Sequence, residues 1–482
     1  MKKLIILIAL IALLAAHAVC GAATYYIDPD CANNGNGTAY TPCAASPGSA
    51  GPYNTTAISL AAGNTYAIKA GSIVTVQKDI GTSGTAEGHM VFRAYDPNTG
   101  VFTTNKATVD SEGVRSRAFS VIGRQYIDFM DLIITGGAGS GILHENSSDI
   151  TYTRVVFTDN YYGLNIAAGT GASNNVTITD CTFSSNTMMG LLFNPLSTSS
   201  NLLVDRCTSY SNSGDGITVR TGTNNIIQNS LCYDNGEDGF DYGGLTGSII
   251  FRRNISHNNA SAGFSAKANA AGTIGYYYGN VAYNNHEGVE VGNVTGTYGY
   301  NNTVFDNHYG IHIDESSSSH TWINNIFDNN GEDVPATGLQ VSWLKPGSTL
   351  VSDYNSITPH SLGRTIYDKT ETSFDTLAQW QSENNQDANS ITTDPLIDSQ
   401  GRPKANSPVI EAGTWINGGL YSGNAFAIGA YDRTPSVLFP GNIPLSSFGG
   451  VKLGGVKTYW NYVYFLAELA TFNSEAATWQ GF

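Results

Sequence analysis

Charged residues are scarce in this sequence. Asp, Glu, Lys and Arg make up 13% of the 482 residues, about half the usual ~25%. Basic residues are the scarcer kind, with 23 Lys and Arg against 39 Asp and Glu and a net charge of −16. Because binding to a phosphate backbone requires a basic surface, this balance argues against a nucleic-acid partner. The acidic excess is typical of a secreted protein that holds cations.

Long hydrophobic stretches are missing from most of the chain. One apolar run, Leu4–Ala16, follows Lys2 and Lys3 at the start of the sequence. The run is too short for a membrane span and has the charged and apolar regions of a secretory leader. We therefore predict a signal peptide over residues 1–23, no membrane span and an extracellular protein.

Cysteine is rare, with six residues and no C-x-x-C pair. The missing pair excludes the usual structural zinc and thioredoxin-type sites. Cys31 and Cys43 flank a loop rich in Gly and Asn, and we predict that they pair if the compartment is oxidising.

The middle third of the sequence is internally repetitive, and such repeats decide the fold class before any secondary structure is considered. An Asn recurs every 22 to 26 residues, and a Gly stands three or four residues after each of the first seven. Each Gly opens a short alternating strand such as Gly216-Ile217-Thr218-Val219. The recurring asparagines are Asn160, Asn186, Asn212, Asn235, Asn259, Asn285, Asn307 and Asn330.

A second aligned position lies five residues before each of these asparagines. Cys181 and Cys207 occupy it in two repeats, and Cys232 lies on the same face of its own strand. We therefore predict that these three cysteines are buried free thiols rather than disulfide partners.

A period near 24 residues with two or three short strands excludes helical repeats, which show a 3.6-residue periodicity. A leucine-rich repeat would show its Leu pattern. What remains is a coil of parallel strands in which each coil bonds to the next, about 4.8 Å away. Stacked Asn amides are suited to bonding from coil to coil. The pattern resembles the right-handed parallel β-helix of the pectate-lyase superfamily, an all-β solenoid.

We predict that this β-helix domain, with its caps, spans residues 24–435. A helix is predicted over Phe374–Asn384 with Ser373 as its N-cap. Residues 436–482 have a different, Gly-rich and aromatic character and form a C-terminal tail that is a candidate for attachment.

Carboxylates cluster on the outward face of neighbouring strands. Asp215 precedes one repeat Gly, Glu237 and Asp238 precede the next, and Asp241 lies on the strand after that Gly. Like charges this close repel each other unless a cation or a proton intervenes. Hard oxygen ligands without nearby His or Cys favour Ca²⁺ over transition metals. Alternatively, these residues only solvate turns, because Asp-Gly is a common turn pair.

Basic residues lie beside this carboxylate cluster. Lys267 is on the next strand, about 8 Å from Asp241 in backbone terms. A nearby Ca²⁺ or Arg220 would lower the pKa of Lys267 and make it usable as a base. Alternatively, Lys267 forms a surface ion pair with Asp241 or Glu290.

The segment Asn235-Gly236-Glu237-Asp238-Gly239-Phe240-Asp241, together with Gly214-Asp215-Gly216, resembles the calcium-binding motif of family 9 polysaccharide lyases. The resemblance covers roughly residues 150–345. It implies that Asp215, Glu237, Asp238 and Asp241 bind calcium, with Glu237 in place of the usual first Asp. The catalytic lysine of that family directly follows Gly-Phe, whereas Ser265 follows Gly263-Phe264 here and Lys267 comes two residues later.

The resemblance implies β-elimination on a uronic-acid polymer such as pectate, with Ca²⁺ on the sugar carboxylate and Lys267 taking the C-5 proton. Arg220, Glu290 and His312 are the predicted substrate-binding residues. Two alternatives remain open. A second outward set that contains Glu287, Glu290 and His312 is suited to a glycoside hydrolase with paired carboxylates, and exposed tyrosines are suited to a non-catalytic carbohydrate-binding adhesin or surface spike.

Overall fold

The computed structural model of the chain describes residues 23–29, 60–75, 77–196, 198–243, 247–267, 273–292, 294–313, 319–331, 339–343, 349–359, 366–368, 373–414 and 428–431. Over these residues the chain winds into a solenoid in which most coils contribute one strand to each of three sheets. The predicted parallel β-helix is therefore confirmed. The leader, the tail, Cys31 and Cys43 lie outside the described residues.

Sheet A has 13 parallel strands in the described part of the chain, ordered along the solenoid axis as they are along the sequence. The strands are β1 Thr24–Ile27, β2 Thr65–Lys69, β5 Met90–Tyr95, β8 Gln125–Met130, β11 Ser148–Thr153, β14 Val176–Thr179, β17 Leu202–Asp205, β20 Gly222–Gln228, β23 Gly247–Arg252, β26 Thr273–Tyr278, β29 Gly296–Tyr300, β32 Ser319–Ile323 and β35 Thr349–Asp353.

Sheet B follows sheet A in each coil and has 12 parallel strands within the same residues. Its strands are short because the chain bends sharply at both ends. They are β3 Ile73–Thr75, β6 Ala107–Asp110, β9 Leu132–Thr135, β12 Val156–Thr158, β15 Thr182–Ser184, β18 Thr208–Tyr210, β21 Leu231–Tyr233, β24 Ile255–His257, β27 Val281–Tyr283, β30 Thr303–Phe305, β33 Ile326–Asp328 and β36 Ser356–Ile357.

Sheet C completes each coil and contains the strands that open with the repeat Gly. It has 13 described strands, parallel except for the last pair. They are β4 Lys78–Ile80, β7 Phe119–Ile122, β10 Ile142–Glu145, β13 Leu164–Ala167, β16 Leu191–Phe193, β19 Ile217–Val219, β22 Phe240–Tyr242, β25 Ala262–Lys267, β28 Glu287–Gly292, β31 Tyr309–Ile313, β34 Leu339–Trp343, β37 Ile366–Asp368 and β38 Ser373–Asp375.

The helix begins later than predicted. Helix α1 spans Leu377–Asn384, and its N-cap is Thr376, whose hydroxyl oxygen accepts from the Gln379 N–H. The prediction of Ser373 as N-cap was wrong because residues 373–375 form β38, which pairs antiparallel with β37. Tertiary pairing thus overrides the helical spacing of Phe374 with the residues that follow it.

The recurring asparagines form a continuous ladder inside the turns between sheets B and C. From Asn160 to Asn330, each side-chain Nδ2 donates to Oδ1 of the next Asn at 2.8–3.3 Å. A second ladder runs from Asn254 to Asn355 in the turns between sheets A and B. An amide provides both a donor and an acceptor, so each buried group is satisfied by its neighbour.

The repeat Gly is required by close contact between coils. A Cβ at Gly216 would lie 2.6 Å from the carbonyl oxygen of Gly239 and 3.0 Å from Cys232 Sγ. The three described cysteines are buried and free, as predicted. Inward positions of sheet C such as Ile217 and Val219 are fully buried, which leaves the alternate side chains on its outer face.

Candidate active site on sheet C

Polar side chains are concentrated on the outer face of five neighbouring strands of sheet C. Strand register aligns one outward position across β19, β22, β25, β28 and β31. The outward positions before and after this aligned position in each strand lie on the same outer face. The aligned position holds Thr218, Asp241, Ser265, Glu290 and His312.

A hydrogen bond from the backbone of Asp238 to the side chain of Asp215 joins the two residues, as expected for residues on adjacent coils. The Asp238 N–H donates to Asp215 Oδ1 at 3.0 Å, and the Thr218 hydroxyl donates to Asp215 Oδ2 at 2.8 Å. Asp238 Oδ1 in turn accepts from the Ala262 N–H at 2.7 Å. Burial, and then the charge of Asp238, raise the pKa of Asp215 to about 6. Two nearly buried carboxylates thus lie side by side with unfavourable charge.

Asp241 adds a third carboxylate, which is only 3% exposed. Burial, followed by the charge of Asp215, raises its pKa well above the ordinary value. Arg220 Nη2 lies 2.9 Å from Asp241 Oδ2 and 3.7 Å from Asp215 Oδ2. This close contact is an ion pair rather than an aligned hydrogen bond, because Asp241 Oδ2 is buried and has no hydrogen-bond donor.

Arg220 reaches the carboxylates across a glycine. Register places it beside Gly243, one residue beyond β22. A Cβ on Gly243 would lie 2.0 Å from Arg220 Nη1 and 3.1 Å from its Cδ. Any other residue at 243 would therefore push the guanidinium from its position over the strand end.

Lys267 is directed toward Glu290 rather than toward Asp241. Its Nζ lies 2.5 Å from Glu290 Oε2, and its side chain is 46% exposed. Burial lowers the pKa of Lys267, but the hydrogen bond to Glu290 and the charge of Asp238 outweigh that effect, so the pKa is raised. The lowering of this pKa that Arg220 was expected to cause is not observed, whereas the alternative prediction of an ion pair with Glu290 is confirmed.

Glu290 belongs to a second acidic group with Glu287. Burial and the charge of Glu287 raise the pKa of Glu290 to about 7, although Lys267 opposes this shift. Glu287 Oε1 lies 3.3 Å from His312 Nδ1, while its buried Oε2 has no hydrogen-bond partner.

The predicted residues thus form two contiguous groups. Asp215, Asp238, Asp241 and Arg220 form one group, and Lys267, Glu290 and His312 form the other with Glu287. Glu237 is exposed and makes no ion pair in the described part of the chain. The sequence analysis missed Thr218 as a partner of Asp215.

The carboxylate group fits a hard divalent cation in its composition. It offers several oxygen atoms, and Asp241 Oδ2 is buried without a hydrogen bond. The raised pKa values of Asp215 and Asp241 indicate negative charge that is incompletely compensated. Ca²⁺ prefers such oxygen ligands, and Arg220 is the basic side chain that contacts both Asp241 and Asp215.

None of the helices in the described residues is long and apolar enough to cross a membrane.

Comparisons with known proteins agree with this architecture. The profile of a family described as right handed beta helix region matches residues 117–274. The crystal structure of pectate lyase Pel9A superposes with a TM-score of 0.51 at 18% identity, covering 86% of this chain and 97% of that one. No curated protein matches the sequence significantly.

Two further structures superpose over about half of the chain. An alginate lyase from Paenibacillus sp. str. FPU-7 gives a TM-score of 0.39 at 14% identity, covering 54% of this chain and 91% of that one. The periplasmic alginate epimerase AlgG gives 0.34 at 14% identity, covering 53% and 76%. These lower scores add nothing to the assignment. The repeat, the strand register and the similarity to Pel9A together identify the chain as a right-handed parallel β-helix protein with a pectate-lyase-like fold.

Proposed function

We propose that the protein is a secreted polysaccharide lyase that cleaves a uronic-acid polymer, such as pectate, by calcium-assisted β-elimination. The observation that carries this proposal is the arrangement on sheet C. Three buried carboxylates from neighbouring coils lie on the same outer face as Lys267. This combination places several carboxylate oxygens and one amine on the same face of sheet C.

Asp215, Asp238 and Asp241 would hold Ca²⁺, with the exposed Glu237 able to reach the same ion. Bound there, Ca²⁺ would neutralise the sugar carboxylate and stabilise the charge that develops as the C-5 proton leaves. An acidic protein would in this way retain an acidic polymer.

Lys267 takes the C-5 proton in this proposal. Its amine accepts the C-5 proton, a C-4 to C-5 double bond forms, and the glycosidic oxygen at C-4 leaves with the adjoining sugar and takes a proton from water. The amine must first be neutral, and Glu290 at 2.5 Å holds it protonated. We therefore expect elimination to become faster as the pH rises toward the raised pKa of Lys267. Glu290 and His312 lie on the two strands of sheet C that follow the strand of Lys267, and they would contact the adjoining sugar.

The test is incubation of the purified protein with polygalacturonate and CaCl₂, with detection of unsaturated product by ultraviolet absorbance. We expect product that disappears with a chelator and in Lys267→Ala. The matched control is Lys404→Ala, because Lys404 is also exposed but lies outside sheet C.

A hydrolase is the second candidate, and the observation that favours it is the adjacent carboxyl groups of Glu287 and Glu290, where the charge of Glu287 adds to burial in raising the pKa of Glu290. A carboxyl group whose pKa is raised to about 7 is suited to act as a general acid. Saturated reducing ends that form without calcium, and disappear in Glu290→Gln, would identify hydrolysis. Retention on the polymer without cleavage would identify an adhesin.

A further inference from the structure

We propose that the Arg220 guanidinium is an internal cation that takes the position between Asp215 and Asp241, and that a divalent ion binds only when this guanidinium leaves. This inference rests on the proposed function in one respect, the assignment of these carboxylates as the cation site. It adds a residue that competes with the ion.

The distances place the guanidinium where an ion would have to lie. Arg220 Nη2 is 2.9 Å from Asp241 Oδ2 and 3.7 Å from Asp215 Oδ2. Asp241 Oδ2 is buried and has no hydrogen bond, so the atom that is least satisfied in the cluster faces this one side chain. A divalent ion beside a retained guanidinium would experience strong repulsion at such distances.

Three other carboxylate oxygens of the cluster accept hydrogen bonds from neutral groups. Asp215 Oδ1 and Oδ2 accept from the Asp238 N–H and the Thr218 hydroxyl, and Asp238 Oδ1 accepts from the Ala262 N–H. These donors are neutral groups held by the coil, so they remain when an ion arrives. Arg220 is the cationic partner that must yield.

Arg220 is able to leave because little holds its side chain. The side chain is 36% exposed, and the described residues give it no aligned hydrogen bond to either carboxylate. It rests across Gly243, where a Cβ would meet its Nη1 at 2.0 Å. The clash would involve the far end of a flexible side chain, so Gly243→Ala displaces the guanidinium without forcing the backbone to move.

The experiment is a calorimetric titration of the full-length protein with Ca²⁺ alone, at constant ionic strength and without polysaccharide. We expect Arg220→Gln to lower the Kd for Ca²⁺ about tenfold or more, and Gly243→Ala to lower it by a smaller factor. The matched control is Arg206→Gln, because Arg206 forms an exposed ion pair with Asp180 outside the cluster. It should leave the Kd unchanged.

Removing Arg220 also removes charge compensation, so the folding of each variant is followed by thermal unfolding with and without Ca²⁺. We expect a larger stabilisation by Ca²⁺ in Arg220→Gln than in the wild type. Gly243→Ala retains the positive charge and provides an independent variant if Arg220→Gln does not fold.

An unchanged or higher Kd in both variants would overturn the inference, as would the absence of Ca²⁺ binding in every variant. Tight binding in Arg220→Gln together with no elimination product from the wild type would support the competition. That same result would refute the proposed lyase. The two proposals therefore fail separately.

Discussion

Removing one amide from the Asn ladder measures how strongly neighbouring coils are held together. Asn186 is suited to the test because it is 1% exposed and lies one coil before Asp215. Its Oδ1 accepts from the backbone N–H and from Nδ2 of Asn160, at 3.1 and 3.3 Å. Its Nδ2 donates to Asn212 Oδ1 at 2.8 Å and to the carbonyl oxygen of Phe157 at 3.2 Å.

The cost of Asn186→Ala follows from what each partner retains. Asn160 Nδ2 keeps its bonds to the carbonyl oxygens of Ile134 and Thr158. Asn212 Oδ1 keeps the backbone N–H of residue 186, at 3.1 Å. The backbone N–H of Asn160 loses its acceptor. One buried orphan donor costs about 1–3 kcal/mol and each of the three other lost bonds costs about 1 kcal/mol, so we expect a destabilisation of about 4–6 kcal/mol.

The assay is urea unfolding followed from both the folded and the unfolded side. Asn98→Ala is the control, because Asn98 is exposed and should change stability by less than about 0.5 kcal/mol. Asn186→Asp keeps the acceptor but places a carboxylate against Asn212 Oδ1, so it should destabilise at neutral pH at least as much as the Ala variant. Equal midpoints for Asn186→Ala and Asn98→Ala would refute the reasoning.

Three further predictions concern other sites. Burial lowers the pKa of His144 from 6.5 to about 4, so the folded state disfavours the protonated form of this side chain. The free energy of unfolding should therefore fall by about 3 kcal/mol as the pH drops from 6.5 to 4. Unfolding curves of His144→Phe should lack most of this pH dependence. Glu290→Gln should lower the pKa of Lys267, measured by the pH dependence of amine acetylation, and an unchanged pKa would contradict the ion pair. The Tyr233 ring stacks on a ring in each adjoining coil, with ring centroids 5.0 and 5.2 Å apart. Tyr233→Ala should therefore lower the free energy of unfolding in urea by about 1–3 kcal/mol. A loss smaller than that of Asn98→Ala would show that the stack does not stabilise the folded protein.

The fold was predictable from the sequence because each of its two structural requirements selects a particular residue type at one position of every repeat. Asn186 and its counterparts must supply both a donor and an acceptor at one buried turn position. Gly216 and its counterparts must leave space for the next coil. Because each coil contacts mainly its neighbours, the same constraint returns at the same spacing, and inspection of the sequence detects it.

The candidate site was predictable only in part. Register brought Asp215 next to Asp238, since that contact depends on coil spacing alone. The direction of a long side chain depends on its torsion angles and on neighbours two strands away, which the repeat does not encode. Arg220 therefore contacts Asp241 across Gly243 in a way that strand position did not predict. The ion pair of Lys267 with Glu290 was one of two pairings that the sequence left open, and strand position alone did not choose between them.

The two kinds of stacked polar side chain in this solenoid, amides and carboxylates, differ in their hydrogen-bonding capacity. An amide has a donor and an acceptor, so the Asn ladder satisfies itself from coil to coil. A carboxylate only accepts, so stacking Asp215, Asp238 and Asp241 leaves negative charge that the fold does not neutralise. Asn at these positions would have continued a neutral pattern that the chain already uses twice. The coils that depart from it therefore accumulate negative charge, which the Arg220 guanidinium partly offsets.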